Sequence, residues 1–204
     1  MPPAEKAPRA WQRMLSGRRL DLLDPSPLDV EISDIAQGLA RVARWNGQTR
    51  GDHAFSVAQH SLMVETIVGH LTAASPQTLL LALLHDAPEY VIGDMISPFK
   101  AIVGGGYKTV EARLEAAIHI RFGLPPVLPK NIKALIKRAD KIAAYFEATE
   151  LAGFADKEAR AFFGSPRGIT RDMLDVVPRP AAEIETLFVQ RFEAIEALRH
   201  PEES

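Results

Sequence analysis

The amino-acid sequence predicts an all-α protein, and three observations support this fold class. Apolar residues recur at helical spacing along most of the 204 residues. Strand-like patterning is confined to one short N-terminal segment, and proline and glycine fall between the helical stretches rather than in one linker. No internal repeat at solenoid periods is found. We therefore expect a single domain over residues 1–204, built as a bundle of about six to eight helices.

The first part of the chain predicts a short strand and then a helix. Residues 18–22 suit an extended segment, which ends at a turn signal of aspartate, serine and proline at residues 24–27. Ser33 is the expected N-cap of the first helix, because its hydroxyl can accept a hydrogen bond from a free amide of the first turn. The apolar face of this helix carries Ile35, Leu39 and Val42.

Two further helices are predicted before the middle of the chain. One is expected over residues 54–71, where apolar residues recur at helical steps. The other begins at Ser75-Pro76, which supply an N-cap and a first-turn proline. Its run from Leu79 to Leu84 is apolar on all sides, which is typical of a helix buried in the centre of a protein.

Three helices are predicted in the second half of the chain, over residues 107–122, 131–151 and 181–199. The apolar periodicity fades between Gly153 and Pro180, so loop and short turns are expected there. The residues of the last helix that are expected to point inward are Ile184, Leu187, Phe188, Ile195 and Leu198.

Composition narrows the class of protein. The chain has no cysteine, which excludes disulfides, thiolate nucleophiles and cysteine-based zinc sites. The formal net charge of −2 gives no global basic field for a nucleic acid polymer. No apolar run approaches the roughly 20 residues that span a bilayer, and the N-terminal residues lack a signal-peptide pattern. We expect a cytoplasmic protein that binds neither membranes nor nucleic acid polymers.

Four polar residues stand where the helical pattern predicts apolar surroundings. His85 and Asp86 follow the all-apolar run directly, while His60 and Asp140 each interrupt the apolar face of a predicted helix. Burying such groups is unfavourable unless they have polar or metal partners. Two imidazoles and two carboxylates are a ligand set suited to one divalent ion of Mn, Co, Fe, Zn or Mg. The sequence therefore predicts a metal site, although each histidine alone could be an ordinary core residue.

The order of these residues resembles the H…HD…D pattern of the HD-domain metal-dependent phosphohydrolases. The residues that flank the pattern are similar to those of the bacterial 5′-deoxynucleotidase-like branch. The likeness extends over about residues 17–151. Residues 152–204 are expected to form a loop and a helix that pack on this part. The stretches that carry the resemblance are Ser56-Val57-Ala58-Gln59-His60-Ser61, His85-Asp86-Ala87-Pro88-Glu89, Ile92-Gly93-Asp94 and Ser97-Pro98-Phe99-Lys100.

The resemblance implies roles for further residues. It places metal ligands at the four residues above, catalytic acids at Glu89 and Asp94, and a pair that holds the nucleotide and senses its sugar at Arg44-Trp45. It also implies a homodimer. The lysines that are candidates for phosphate contacts are Lys100 and Lys141. Simpler alternatives are that Asp94 caps a helix, that Arg44 is a surface cation and that Trp45 is a core aromatic residue.

The function expected from this resemblance is removal of phosphate from a (deoxy)nucleoside 5′-monophosphate, or a similar small phosphomonoester, by attack of a metal-bound water. Two alternatives stay open. One is an HD hydrolase that acts on a diphosphate or a cyclic dinucleotide, and the other is a nucleotide-binding module without catalysis. Three further histidines lie outside the H…HD…D pattern and are expected at the surface, namely His70, His119 and His200.

Overall fold

Eight α-helices make up most of the chain in the computed structural model, which describes residues 10–95, 102 and 105–201. The all-α fold class is therefore confirmed. Two strands, β1 (Trp11–Arg13) and β2 (Arg19–Asp21), pair antiparallel beside the bundle. The helices are α1 (Ile32–Leu39), α2 (Val57–Leu71), α3 (Pro76–Leu83), α4 (Glu89–Ile92), α5 (Gly105–Arg121), α6 (Lys130–Glu150), α7 (Asp156–Phe163) and α8 (Ala181–Arg199). Short 3-10 turns cover Pro27–Asp29, Arg44–Gly47 and Arg171–Met173.

Helix α2 lies at the centre of the bundle. It packs against α3, α6 and α8, while α1 packs against α4 and α8. The run of leucines in α3 is buried as predicted, from Leu80 to Leu84. Among the largest fully buried side chains are Phe55, Leu39, Leu83, Ile118, Phe188 and Ile195. No helix in the described part of the chain is long and apolar enough to cross a membrane.

Serine caps were predicted correctly for α3 but not for α1. Ser75 accepts a hydrogen bond from the amide of Thr78, and Pro76 occupies the first turn of α3. Helix α1 instead begins after Glu31, so Ser33 lies inside it and Val42 lies beyond its end. Glu31 makes no side-chain hydrogen bond to the first turn, and its carboxylate pairs instead with Arg18 and Arg121, which are not visible from local sequence.

The prediction of loop and turns between residues 153 and 180 was wrong in part, because α7 lies there. This helix has only eight residues and buries only Ala159, so its short apolar stripe gives little periodicity to detect. Helix α8 has the predicted bounds, but Leu187 and Leu198 are exposed. They lie off the stripe through which α8 packs, which consists of Ile184, Phe188, Phe192 and Ile195.

Helix α1 and helix α4 approach each other at Gly38. A Cβ atom placed on Gly38 would lie 2.7 Å from the carbonyl oxygen of Tyr90 and 2.8 Å from its Cβ. Only a residue without a side chain fits such a backbone contact. Gly38 thereby determines how close α4, and the acid Glu89 at its start, lies to the rest of the bundle.

His119 was predicted at the surface, and the structure corrects this: its relative exposure is 1%. Its Nδ1 donates a hydrogen bond of 3.0 Å to the carbonyl oxygen of Pro125, because a carbonyl oxygen can only accept. Burial penalises the charged imidazolium and lowers the pKa of His119.

The depressed pKa of His119 makes stability depend on pH. Because the unfolded chain binds this proton more readily, His119 contributes stability that is complete above its unfolded pKa of about 6.5 and is lost as the pH falls towards its folded pKa. Urea unfolding between pH 7.5 and pH 5 is expected to show a smaller loss of stability in His119→Asn, which keeps a donor near Pro125, than in the wild type. The matched control is His70→Asn at an exposed histidine. Equal pH dependence in wild type and His119→Asn would contradict this expectation.

Candidate metal centre

Two packed helices and one turn bring the predicted polar residues together. His60 lies in the first turn of α2, His85 and Asp86 lie in the turn between α3 and α4, and Asp140 lies midway along α6. Asp86 Oδ2 is 3.5 Å from His60 Nε2 and 3.2 Å from His85 Nε2. Asp140 Oδ1 is 3.3 Å from His60 Nε2. Residues separated by up to 80 positions in the sequence therefore meet at one point.

Both imidazoles turn the same nitrogen, Nε2, towards this point because Nδ1 is already engaged. His85 Nδ1 donates to the carbonyl oxygen of Ala82 at 2.8 Å. His60 Nδ1 donates to Glu147 Oε1 at 2.5 Å. A hydrogen bond at one ring nitrogen determines which nitrogen remains for a metal, so each histidine is oriented as a metal ligand would be.

The geometry fits a divalent ion. The Nε2 atoms of His60 and His85 are buried, and neither has a hydrogen-bond partner within the described part of the chain. Two donor atoms that each lie about 2.0–2.2 Å from one ion are separated by roughly 3.0–3.5 Å at octahedral or tetrahedral angles. The observed separations of 3.2, 3.3 and 3.5 Å match this range. His60, His85 and Asp86 form a group that could hold a metal ion, and Asp140 borders it.

The charges at this point are balanced by the surrounding residues. Burial opposes ionisation of Asp86, but the imidazoles of His85 and His60 and the Arg44 guanidinium outweigh it and lower the pKa of Asp86. Burial likewise opposes ionisation of Asp140, and His60 outweighs it and lowers the pKa of Asp140. Burial and Arg44 oppose protonation of His60, whereas the carboxylates around it, Glu147 first, raise its pKa. A proton or a metal ion at His60 Nε2 therefore compensates the same carboxylates.

Exposure differs between the two kinds of ligand. The side chain of His60 is fully buried, whereas those of Asp86 and Asp140 are 26% and 40% exposed. The site is thus closed on the imidazole side and open to solvent on the carboxylate side. Water and a small ligand can reach the carboxylates directly.

Arg44 lies beside the metal group in a strained turn. Its Nη1 is 3.3 Å from Asp94 Oδ2, and its Nε donates to Glu147 Oε2 at 3.2 Å. Burial opposes the charge of Arg44, but these two carboxylates outweigh it and raise the pKa of the guanidinium. The next residues, Trp45 and Asn46, adopt φ angles of 57° and 50°, a left-handed conformation that is rare for residues with bulky side chains.

Trp45 is held by polar and aromatic contacts together. Its Nε1 donates to Glu147 Oε2 at 2.8 Å, and its ring centroid lies 5.5 Å from that of Phe154 and 5.9 Å from that of Phe163. Phe163 belongs to α7, so the segment that the sequence left without a function forms one wall around Trp45. The simple alternative of a core aromatic residue describes its ring, but not the bond of its N–H.

Glu89 faces a cavity next to the metal group. This cavity has a volume of about 330 Å³, and its lining includes His85 and Asp86 as well as Glu89. Small-molecule sites in proteins have similar volumes. Across the cavity lie residues that the sequence did not single out, namely Lys108, Glu111, Glu115 and Lys133.

The two lysines predicted to contact phosphate stay predictions. Lys141 follows Asp140 on α6, but it is exposed and does not line this cavity. Lys100 lies outside the described residues. Lys108 and Lys133 are the lysines that line this cavity in the described part of the chain. Local sequence gave no signal for them, because a lysine on a helix facing a cavity has the same pattern as one facing solvent.

Glu147 is a buried residue of the candidate site that sequence reasoning missed. It is fully buried and contacts a candidate metal ligand as well as the Arg44-Trp45 pair. Burial opposes its ionisation, but Arg44 and His60 outweigh it and lower its pKa to about 2. A signal was present: Glu147 lies seven residues after Asp140 on one helix, and it interrupts an apolar run as the other polar residues do.

The profile of the family described as 5′-deoxynucleotidase YfbR-like matches residues 34–192. The chain belongs to the 5′-deoxynucleotidase YfbR-like family. Family membership confirms the resemblance, and it implies a phosphohydrolase of the 5′-deoxynucleotidase type that acts on a small nucleotide. The matched region of this YfbR-like protein contains every residue of the metal group and continues into α8.

Two relatives of this YfbR-like protein align over most of their length. An uncharacterized protein of Rhodobacter capsulatus is 56% identical over 184 residues, which cover 90% of this chain and 94% of the relative. The uncharacterized protein YfdR of Escherichia coli K12 is 32% identical over 173 residues, which cover 84% of this chain and 87% of the relative. Neither name assigns a substrate, so the chemistry has to be argued from the site.

Proposed function

We propose that this protein removes the phosphate of a (deoxy)nucleoside 5′-monophosphate, or of a similar small phosphomonoester, with the help of one divalent metal ion. The ligands of the ion are His60, His85, Asp86 and Asp140. One observation carries the proposal: two buried Nε2 atoms without hydrogen-bond partners in the described chain face two carboxylates at separations typical of a shared ion. The family supports the same class of reaction.

A divalent ion, when bound here, polarises water and offsets the negative charge of a phosphoryl group. In hydrolysis the oxygen of water forms a bond to phosphorus and gives up a proton, the bond from phosphorus to the ester oxygen breaks, and that leaving oxygen takes a proton to become a hydroxyl. Glu89 is suited to move that proton, because its buried carboxyl group faces the same cavity as His85 and Asp86.

Arg44 and Asp94 have complementary parts in this proposal. The guanidinium of Arg44 provides positive charge for the phosphate oxygens, and Asp94 keeps it in place through the 3.3 Å ion pair. Trp45 adjoins Arg44 in the same turn and is proposed to contact the sugar. Lys108 and Lys133 add positive charge at the cavity. Lys100 and Lys141 stay candidates for a phosphate that approaches from the open side.

Lys108 and Lys133 favour one alternative, a substrate with a second phosphate. Lys108 and Lys133 line the cavity beyond the metal group, where a distal phosphate of a diphosphate would lie. Glu111 and Glu115 line it too and oppose a second negative group. The monophosphate therefore remains the first choice. The homodimer and the cytoplasmic location stay predictions.

The test is phosphate release from a panel of substrates by metal-stripped protein that is resupplied with Mn, Co, Fe, Zn or Mg. We expect metal-dependent release from ribo- and deoxyribonucleoside 5′-monophosphates, with rates at least about 10-fold above those for the matched 3′-monophosphates, which place the ester differently. Diphosphates and cyclic dinucleotides complete the panel.

The outcomes separate the candidates. Release from diphosphates or cyclic dinucleotides alone would replace the monophosphatase with the alternative HD hydrolase. No release with any metal, while a nucleotide still binds, would replace it with a binding module. Release that does not depend on added metal after complete stripping would contradict the metal site itself.

A further inference from the structure

Glu147 is a buried carboxylate whose two oxygens are shared among three groups. Oε1 accepts from His60 Nδ1 at 2.5 Å, and Oε2 accepts from Trp45 Nε1 at 2.8 Å and from Arg44 Nε at 3.2 Å. Its relative exposure is 0%. A buried charge is unfavourable unless it is paired and hydrogen-bonded, and Glu147 satisfies both conditions only through residues of the candidate site.

The Oε1 contact acts on the metal group. Because an ionised carboxylate can only accept, it retains the hydrogen on His60 Nδ1 and leaves Nε2 to face Asp86 and Asp140. It also fixes the plane of the ring. Carboxylates behind a metal-ligating histidine make the imidazole a stronger ligand for the same reasons.

The contacts of Glu147 Oε2 hold the Arg44-Trp45 turn. They hold the indole of Trp45 and the guanidinium of Arg44, which belong to a turn with two consecutive left-handed residues. Such a turn persists only where surrounding contacts determine it. Glu147 lies on α6, whereas His60 lies on α2 and Arg44 precedes α2, so the carboxylate joins three separate segments.

We propose that Glu147 is a positioning residue that orients His60 for the metal and, through its second oxygen, fixes the Arg44-Trp45 turn that holds the nucleotide. This inference rests on the proposed function for the role of the turn. Its consequence is that the metal group and the turn respond to each other through one carboxylate. Occupation of His60 Nε2 strengthens the bond from Nδ1 to Glu147 and so changes the surroundings of the Trp45 indole.

The experiment compares Glu147→Gln, which keeps the size of the side chain but removes its charge, with Glu150→Gln as a matched control. Glu150 lies one turn further along α6, is 43% exposed and pairs only loosely with Arg171 at 3.5 Å. All variants carry Trp11→Phe, so that Trp45 is the only tryptophan. Metal-stripped protein is titrated with Zn²⁺, and both the Zn²⁺ affinity and the Trp45 emission are recorded well below the melting temperature.

We expect Glu147→Gln to weaken Zn²⁺ affinity by about 10- to 100-fold and to abolish the emission change that Zn²⁺ causes in the Trp11→Phe parent. Glu150→Gln should behave like the parent. A merely structural role would lower the melting temperature without moving either quantity in the folded protein. Equal Zn²⁺ affinity in Glu147→Gln and the parent, or no Zn²⁺ binding to the parent, would overturn the inference.

A second measurement decides the matter if Glu147→Gln does not fold. Long-range ¹⁵N–¹H spectra of the Zn²⁺-loaded wild-type protein report the tautomer of each histidine, and we expect His60 to carry its hydrogen on Nδ1. Hydrogen on Nε2 would overturn the inference. The proposed function fails separately: if the Zn²⁺ and emission results hold but no substrate releases phosphate, Glu147 positions a metal site that is not a monophosphatase.

Discussion

Replacing Asp86 with alanine is expected to reduce phosphate release by at least about 10³-fold, which corresponds to about 4 kcal/mol of lost transition-state stabilisation. The reason is geometric, because Asp86 Oδ2 faces both His60 Nε2 and His85 Nε2. Without the Asp86 carboxylate, the two imidazoles lose the negatively charged group that they share and that suits the site to a divalent metal ion. Steady-state phosphate release with the best metal and substrate measures the effect.

The same variant separates loss of metal from loss of fold. A bound ion stabilises the folded protein by about 2.7 kcal/mol at a concentration 100 times its dissociation constant, so metal raises the melting temperature of the wild type. We expect this rise to vanish in Asp86→Ala. The matched control is Asp172→Ala, at an exposed aspartate in the 3-10 turn Arg171–Met173. Release by Asp86→Ala within about 10-fold of the wild type would exclude Asp86 as a ligand.

Gly38→Ala is expected to lower the free energy of unfolding by about 1–3 kcal/mol and to reduce activity as well. The added Cβ would meet the Tyr90 backbone at 2.7 Å, so α1 and α4 have to move apart. Because Tyr90 follows Glu89 directly, this movement displaces the proposed proton carrier from the cavity. Urea unfolding and phosphate release of the same preparation measure both effects.

Gly69→Ala is the matched control for that substitution. Gly69 also lies inside a helix, α2, but a Cβ there meets nothing closer than Leu79 Cδ2 at 3.8 Å. Alanine is favoured over glycine in a helix, so Gly69→Ala should gain about 0.5–1 kcal/mol without loss of activity. If Gly38→Ala stabilised the protein like Gly69→Ala, the close contact of α1 with α4 would be refuted.

Helices were predictable from sequence where an apolar stripe and a terminal signal agree. Helix α8 begins and ends where periodicity predicted, and Ser75-Pro76 marks the start of α3. Helix α7 was missed because it has only eight residues and buries only Ala159. Phe163 covers Trp45, more than 100 residues earlier in the chain. A helix of about two turns with one buried residue leaves a weak periodic signal.

Some residues of the candidate site could likewise be predicted from the sequence, and others could not. His60, Asp86 and Asp140 could be found because each is a polar residue in an apolar run, and unfavourable burial is visible in one sequence. Glu147 has the same signature, but its partners His60, Trp45 and Arg44 lie 87, 102 and 103 residues away. Which residues contact a buried acid depends on how α6 packs on α2. Local sequence patterns do not predict that packing.

The aromatic wall around Trp45 decides how much of the polypeptide has to be retained in a working fragment. The resemblance expected from the sequence ends near Leu151, but the family profile continues to residue 192, so a boundary at Leu151 would cut into the family domain. It would remove Phe154 and Phe163 from the indole and α8 from the faces of α1, α2 and α3. A fragment that keeps the candidate metal group and the packing around the Arg44-Trp45 turn therefore has to run through to the end of α8.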